Sequence, residues 1–147
     1  MMIQETKCQG EVLQTFLSNS LVKFHFLALD ASGSTGGLTI LWDSTKILVE
    51  DSFAARRSIT IKIRRLGIPG YIYIYISNMY RSNTPYDKET FINTLESIGE
   101  LLLNQPWIVG GDFNIITSLE EKKGGIRKLD KDNIQLKEVL QTSNWNT

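Results

Sequence analysis

The sequence predicts an α/β (α+β) sandwich of mixed sheets with helices outside, and three observations carry that expectation. Strand-like alternation of apolar and polar residues dominates the first half. Helical apolar spacing flanks the short apolar strands of the second half. At 147 residues, with 41% hydrophobic and 22% charged residues, the chain has the length and composition of one domain with a sizeable core.

Residues 1–4 read as a short buried strand. Residues 11–17 form a short helix through the spacing of Val12, Leu13, Phe16 and Leu17. Over residues 22–28, Val22, Phe24, Phe26 and Ala28 share one face and Lys23 and His25 the other, the pattern of a half-buried strand. The glycine-serine stretch at 32–37 is a loop, and strands at 38–42 and 47–49 are joined by a hairpin turn at Asp43, Ser44 and Thr45. In residues 59–63 the isoleucines take one face, and residues 67–70, around Pro69, turn the chain. Residues 71–76 then alternate three tyrosines with three isoleucines. Thr84, Pro85 and Asp87 mark a helix start, Phe91, Leu95, Ile98 and Leu102 its buried stripe, and Pro106 its limit. A short buried strand at 107–109 follows, and a last helix at about 130–140 carries Ile134, Leu136, Val139 and Leu140.

Composition excludes several classes of function. No apolar run approaches the roughly 20 residues of a membrane span, and the first residues lack the basic start and apolar stretch of a secretion signal. Cys8 and His25 are single, which excludes an internal disulfide, a cysteine zinc cluster and a multi-histidine metal site. An intracellular protein, nuclear or cytoplasmic, is the expectation. Sixteen basic and sixteen acidic residues cancel, yet residues 53–86 hold six basic residues (Arg56, Arg57, Lys62, Arg64, Arg65, Arg81) and no acid. Such a run suits either a surface meeting a polyanion or a strand edge kept soluble by charge.

Chemistry concentrates around Val109-Gly-Gly-Asp-Phe-Asn-Ile115. In an extended segment Asp112 and Asn114 share a face, Phe113 anchors the other, and the two glycines leave room for a ligand. An acid beside a neutral amide suits a phosphodiester site, while a turn accounts for the same residues. Glu5, after the first strand, is a hard oxygen ligand suited to magnesium or to plain surface exposure. Tyr80, closing Asn78-Met-Tyr80, suits a phosphate contact or a cap on the core.

These elements, in this order, resemble the endonuclease/exonuclease/phosphatase superfamily, the DNase I-like fold, and within it the endonuclease domain of plant LINE-type (non-LTR) retrotransposons. Ile3-Gln-Glu-Thr-Lys7 is similar to that group's metal-binding glutamate motif, and Gly36-Gly-Leu-Thr-Ile-Leu-Trp-Asp43 to its Gly-Gly-(apolar)-Leu-Trp-Asp segment. Asn78-Met-Tyr80 falls where the family has an Asn-Val-Tyr-Gly-Pro strand end, Val109 to Ile115 resembles its signature, and Glu120-Glu-Lys-Lys-Gly-Gly125 is typical of the plant retroelement subgroup. The resemblance implies hydrolysis of DNA with magnesium, or manganese in its place, held by Glu5. Asp112 would orient or deprotonate water, Asn114 would contact the scissile phosphate and Tyr80 would position it. Arg56, Arg57 and Arg81 are candidate contacts to the DNA backbone.

The sequence departs from the family pattern in three places. No strand with an asparagine precedes the glutamate motif, Arg81-Ser82 replaces the usual glycine-proline, and no closing Ser-Asp-His follows. His25 lies early between Phe24 and Phe26, on a polar strand face, and does not stand in for that histidine. Residues 1–147 are therefore expected to be a single partial domain, without the family's first strand and C-terminal part, and inactive as it stands. Two alternatives are a non-catalytic nucleic-acid-binding remnant and a member of the superfamily's phosphatase branch.

Overall fold

The structure is a computed structural model, and it describes residues 1–6, 10–20, 22–30, 36–70, 73–81, 85–113 and 134. Its elements in chain order are β1 (Met2–Gln4), α1 (Gly10–Ser20), β2 (Phe24–Leu29), β3 (Leu38–Asp43), β4 (Ile47–Ala55), β5 (Ser58–Arg65), β6 (Tyr73–Tyr80), α2 (Pro85–Leu101) and β7 (Trp107–Asp112). Apart from Ile134, the expected helix at 130–140 lies outside the described residues, as does the Glu120 to Gly125 segment.

Two units divide the chain, the first comprising Met1–Tyr80 with Asn104–Asp112. It contains both sheets. One has the order β1-β3-β2, all antiparallel; the other runs β4-β5-β6-β7, antiparallel except for the parallel pair β6 and β7. The alternation read from the sequence decides what lies between them. Leu38 and Ile40 of β3 meet Ile59 and Ile61 of β5, with Leu27, Leu29, Trp42, Val49, Ile63, Ile76 and Tyr80 packed around them. Each such isoleucine or leucine contributes about 1.5–3 kcal/mol when taken fully out of water. The α/β sandwich expected from the sequence is thus the architecture observed.

Several local expectations change. Asp43 does build the turn: Thr45 donates to its Oδ1 from both N–H (2.9 Å) and hydroxyl (2.5 Å), and Lys46 N–H reaches its carbonyl at 3.1 Å. Those bonds, led by the Thr45 hydroxyl, hold the Asp43 carboxyl below its ordinary pKa. The turn is no hairpin, however, because β3 and β4 belong to different sheets and the chain crosses from one to the other here. Val22 is 86% exposed and precedes β2, whose ladder is finished instead by Ser44 donating N–H and Oγ to the Lys23 carbonyl. The helix expected at 11–17 forms as the longer α1, with Val12 and Phe16 left exposed. Residues 107–109 belong to a longer strand whose Ile108 is exposed, since β7 is outermost in its sheet among the described residues.

The second unit holds α2 and continues from Phe113. The expected stripe is buried on it: Phe91, Leu95, Ile98 and Leu102, together with Ile92. Leu102 N–H still reaches the Ile98 carbonyl at 2.9 Å, and the chain leaves the helix through Asn104 at φ +62°.

The basic run does not form one patch. Arg56 and Arg57 turn the chain between β4 and β5, while Arg64 and Arg65 lie at the other end of β5. Seven strand steps separate those ends, roughly 23 Å.

Candidate active site at the strand ends

Tyr80 ends β6 and Asp112 ends the parallel β7, and the two are register partners, so their side chains leave the sheet on the same face. Ligand sites in sheets with parallel strands form beyond such carboxyl ends. On the other sheet, β1 ends at Gln4, and Glu5 follows with φ +51°. Tyr80 donates its hydroxyl to Glu5 Oε1 at 2.8 Å. This bond, then burial, then the negative charges of Glu5 and Asp112 raise the Tyr80 pKa above its ordinary value, while Arg57 opposes the shift. Of the residues expected to form the site, Glu5, Tyr80 and Asp112 are thus brought together. Asn114 lies outside the described residues.

Two side chains that the sequence reading passed over hold this arrangement. Gln4 donates from Nε2 to Asn78 Oδ1 (2.9 Å) and to the Met79 carbonyl (2.7 Å), and its Oε1 accepts Asp112 N–H at 2.8 Å. Asn78, fully buried, donates from Nδ2 to the carbonyls of Ile3 and Thr39, both at 3.0 Å. The two amides therefore staple β1 and β3 to β6 and β7. A signal was present: Asn78 is in phase with Ile74 and Ile76, and an amide on an apolar face must find partners.

Glycines set the clearances. Gly111 has φ +151°, and a Cβ there would run into the Met79 carbonyl and lie 2.6 Å from Gln4 Nε2. A Cβ on Gly36 would run into Glu5 Cα and lie 3.0 Å from Glu5 Cβ. Gly36 thus passes the backbone of Glu5, and Gly111, just before Asp112, passes the Met79 carbonyl, and neither position admits a side chain.

Arg57 also reaches the site. Its carbonyl accepts Tyr80 N–H at 3.0 Å and its guanidinium stands 5.9 Å from the Tyr80 ring centroid. Arg57 has φ +56°. Non-glycine residues in such regions cost about 1–3 kcal/mol and gather at functional sites. Arg56 is exposed beside it. Arg81 corrects the expectation of a DNA contact: it is 1% exposed and its Nη1 donates to the Phe113 carbonyl at 2.9 Å, so it braces the interior of the second unit. His25 is exposed on β2, its ring edge-on to Trp42 with centroids 6.2 Å apart, at the far end of the β2–β3 pairing from Leu38.

The donor set fits magnesium. One Glu5 oxygen holds Tyr80, and the other has no hydrogen-bond partner among the described residues. Magnesium binds through one or two carboxylates and keeps its waters. No group of three or more His, Cys, Asp or Glu residues that could hold a metal ion occurs among the described residues.

No protein-family model and no curated protein matches the sequence. Solved structures do resemble it. Humanized D. rerio TDP2 matches with TM-score 0.56 and 12% identity over 78% of this chain and 49% of its own, and D. rerio TDP2 with a single-strand DNA product gives TM-score 0.51 and 10% identity over 71% and 44%. ANGEL2, a 2',3'-cyclic phosphatase solved with adenosine-2',3'-vanadate, gives TM-score 0.56 and 14% identity over 78% and 38%. An endonuclease/exonuclease/phosphatase family protein of Bacteroides thetaiotaomicron gives TM-score 0.51 and 13% identity over 69% and 45%. The chain spans less than half the length of each of these structures. Two packed sheets with strand ends converging on Glu5, Tyr80 and Asp112 thus give this chain the DNase I-like fold of the endonuclease/exonuclease/phosphatase structures.

Proposed function

We propose that Glu5, Tyr80, Asp112 and Asn114 belong to a divalent-metal phosphodiesterase site acting on DNA, of the kind that nicks target DNA in LINE-type retrotransposons. The observation that carries the reading is the 2.8 Å bond from Tyr80 to Glu5, made where Asp112 stands in register with Tyr80. One neighbour's single-strand DNA product and another's adenosine-2',3'-vanadate support it.

Glu5 would hold the metal, which supplies charge stabilisation for the phosphate and the leaving oxygen. Tyr80 orients Glu5 through its hydroxyl. Asp112, with its N–H fixed by Gln4, orients the attacking water and accepts its proton. Asn114, two residues on, would donate to a phosphate oxygen.

The sequence holds no Ser-Asp-His motif, and groups that act as a unit lose several orders of magnitude in rate when one is missing. The chain by itself is therefore expected to bind metal and DNA without appreciable turnover. Manganese-induced broadening of NMR signals should centre on residues near Glu5 and vanish in Glu5→Gln; no broadening there would sink the reading. Nicking of supercoiled plasmid in magnesium should not exceed the EDTA background. Magnesium-dependent nicking abolished by Asp112→Ala would keep the site and refute the requirement for the missing motif.

A further inference from the structure

We propose that a second copy of this chain docks on the flank where β1 and β7 lie, continuing both sheets across a two-fold axis. The inference rests on the fold and is independent of the phosphodiesterase reading.

The two flanks of the sandwich are built differently. On one, the outermost strand of the larger sheet is β4. It carries Glu50 and Asp51, and its register shifts between Val49 and Asp51. Charges and a bulge keep an edge strand from pairing with another chain. On the other flank the outermost strands among the described residues are β1 and β7. They are stacked: the Met2 sulfur lies 2.8 Å from where a Gly110 Cβ would stand, and Gln4 Oε1 accepts Asp112 N–H. From Met1 to Gln4 and from Trp107 to Gly111 no side chain is charged, and neither run contains a proline or a register shift.

Backbone and core both stop short at β7. Tyr75 N–H reaches the Pro106 carbonyl, which sets the phase of the parallel ladder. In that phase Ile108 and Gly110 turn N–H and carbonyl toward β6, while Val109 and Gly111 turn theirs away from it. Ile108 is the register partner of Ile76, so its side chain faces the layer between the sheets, where Ile76 packs against the core. It is nonetheless 52% exposed. The layer is open at this strand, and a further strand is what satisfies such an edge.

A second copy suits it in charge, register and size. A two-fold interface is self-complementary, which an edge free of charged side chains allows, and the chain's formal net charge is zero. With the axis at Val109, each Val109 exchanges N–H and carbonyl with the partner's Val109 in an antiparallel pair. The two Ile108 side chains then close the layer from both sides, and the two β1 strands come alongside each other. The partner's Pro106 stands opposite Asp112, so the second copy borders the candidate site. The matched part is less than half of each resembling structure, so their fold includes at least as much chain again, which a second copy supplies.

The test is sedimentation equilibrium of the whole chain from micromolar to near-millimolar concentration, which should show a monomer–dimer equilibrium. Ile108→Lys puts a charge into the layer and should leave monomer alone. Val109→Pro removes an outward N–H that the β6–β7 ladder does not use, and should do the same with the circular dichroism of the parent chain. Phe16→Lys, at a 64% exposed position on α1, should stay dimeric. In a Cys8→Ser background, Val109→Cys should give a disulfide-linked dimer on mild oxidation and Ile108→Cys should not, because hydrogen-bonded antiparallel partners stand about 5.5 Å apart at Cα. That cross-link decides the matter if either of the first two substitutions unfolds the chain. A parent chain that is monomeric throughout overturns the proposal and leaves the flank to a different polypeptide. A dimer that persists in folded Ile108→Lys, that is lost in Phe16→Lys, or that cross-links through Ile108→Cys alone places the interface elsewhere and overturns it equally.

Discussion

The two ends of the β4–β5 hairpin solve the same backbone problem with different residues. At one end the chain turns through Arg56 and Arg57, and Arg57 takes the left-handed conformation itself. At the other, residues 66–70 turn the chain toward β6, and there Gly67 (φ +79°) and Gly70 (φ +108°) take the positive values, each with open space around it. The far end carries a surface ion pair, Arg64 Nε to Glu50 Oε1 at 3.0 Å. The near end carries Tyr80, Glu5 and a buried amide staple. Where nothing has to be held, glycine relaxes the chain; where charges are brought together, the chain keeps side chains that strain it.

Substitutions can break this contrast, and the largest effect belongs to the staple. Asn78→Ala removes three buried side-chain bonds at once, to the Ile3 and Thr39 carbonyls and from Gln4 Nε2, and should cost about 3–5 kcal/mol in urea denaturation. Gly111→Ala comes next, combining positive φ with a collision against the Met79 carbonyl, at about 2–4 kcal/mol. Its counterpart Gly67→Ala meets only the backbone preference and should cost about 1 kcal/mol. A Gly67→Ala cost equal to that of Gly111→Ala would erase the difference between the ends. Arg64→Ala should be smaller still, under about 1 kcal/mol and weaker with added salt, because the pair is exposed to solvent.

Acid and alkali should separate the ends most finely. Tyr80 has a raised pKa, so its bond to Glu5 stabilises fully below the ordinary tyrosine value and is lost as pH rises through the raised one. Absorbance at the tyrosinate band should show Tyr80 ionising late, and earlier in Glu5→Gln. Asp43 has a lowered pKa, so its contribution is present above the ordinary aspartate value and is lost as pH falls through the lowered one. Thr45→Val should shrink that acid-side loss in pH-dependent melting.

Local patterns were the part of this molecule legible in its sequence. The isoleucines of β5, the stripe of α2 and the turn at Asp43 each depend on neighbours within a few residues, and each formed. The sheet that β4 joins after that turn is decided by packing at a distance, so a correct turn was misread as a hairpin. The motif residues Glu5, Tyr80 and Asp112 stand near one another at the strand ends, whereas the partners of Gln4 and Asn78 lie 39 to 108 positions away, which local patterning does not specify. Arg81 was misread because charge alone suggests the surface; a guanidinium that finds a carbonyl such as that of Phe113 is satisfied inside.

The Gln4 amide has a consequence for the timing of assembly on the ribosome. Its Oε1 accepts an N–H from a residue 108 positions later in the chain. At about 5–20 residues per second, β1 emerges roughly 5–20 s before the strand that completes its hydrogen bonds. Until then Gln4 and the apolar face of β3 wait beside a sheet without its parallel strand, a state that slow, long-range pairing prolongs and that exposes strand edges to other nascent chains. The same residue that aligns the site thereby makes its completion one of the last events in the folding of the first unit.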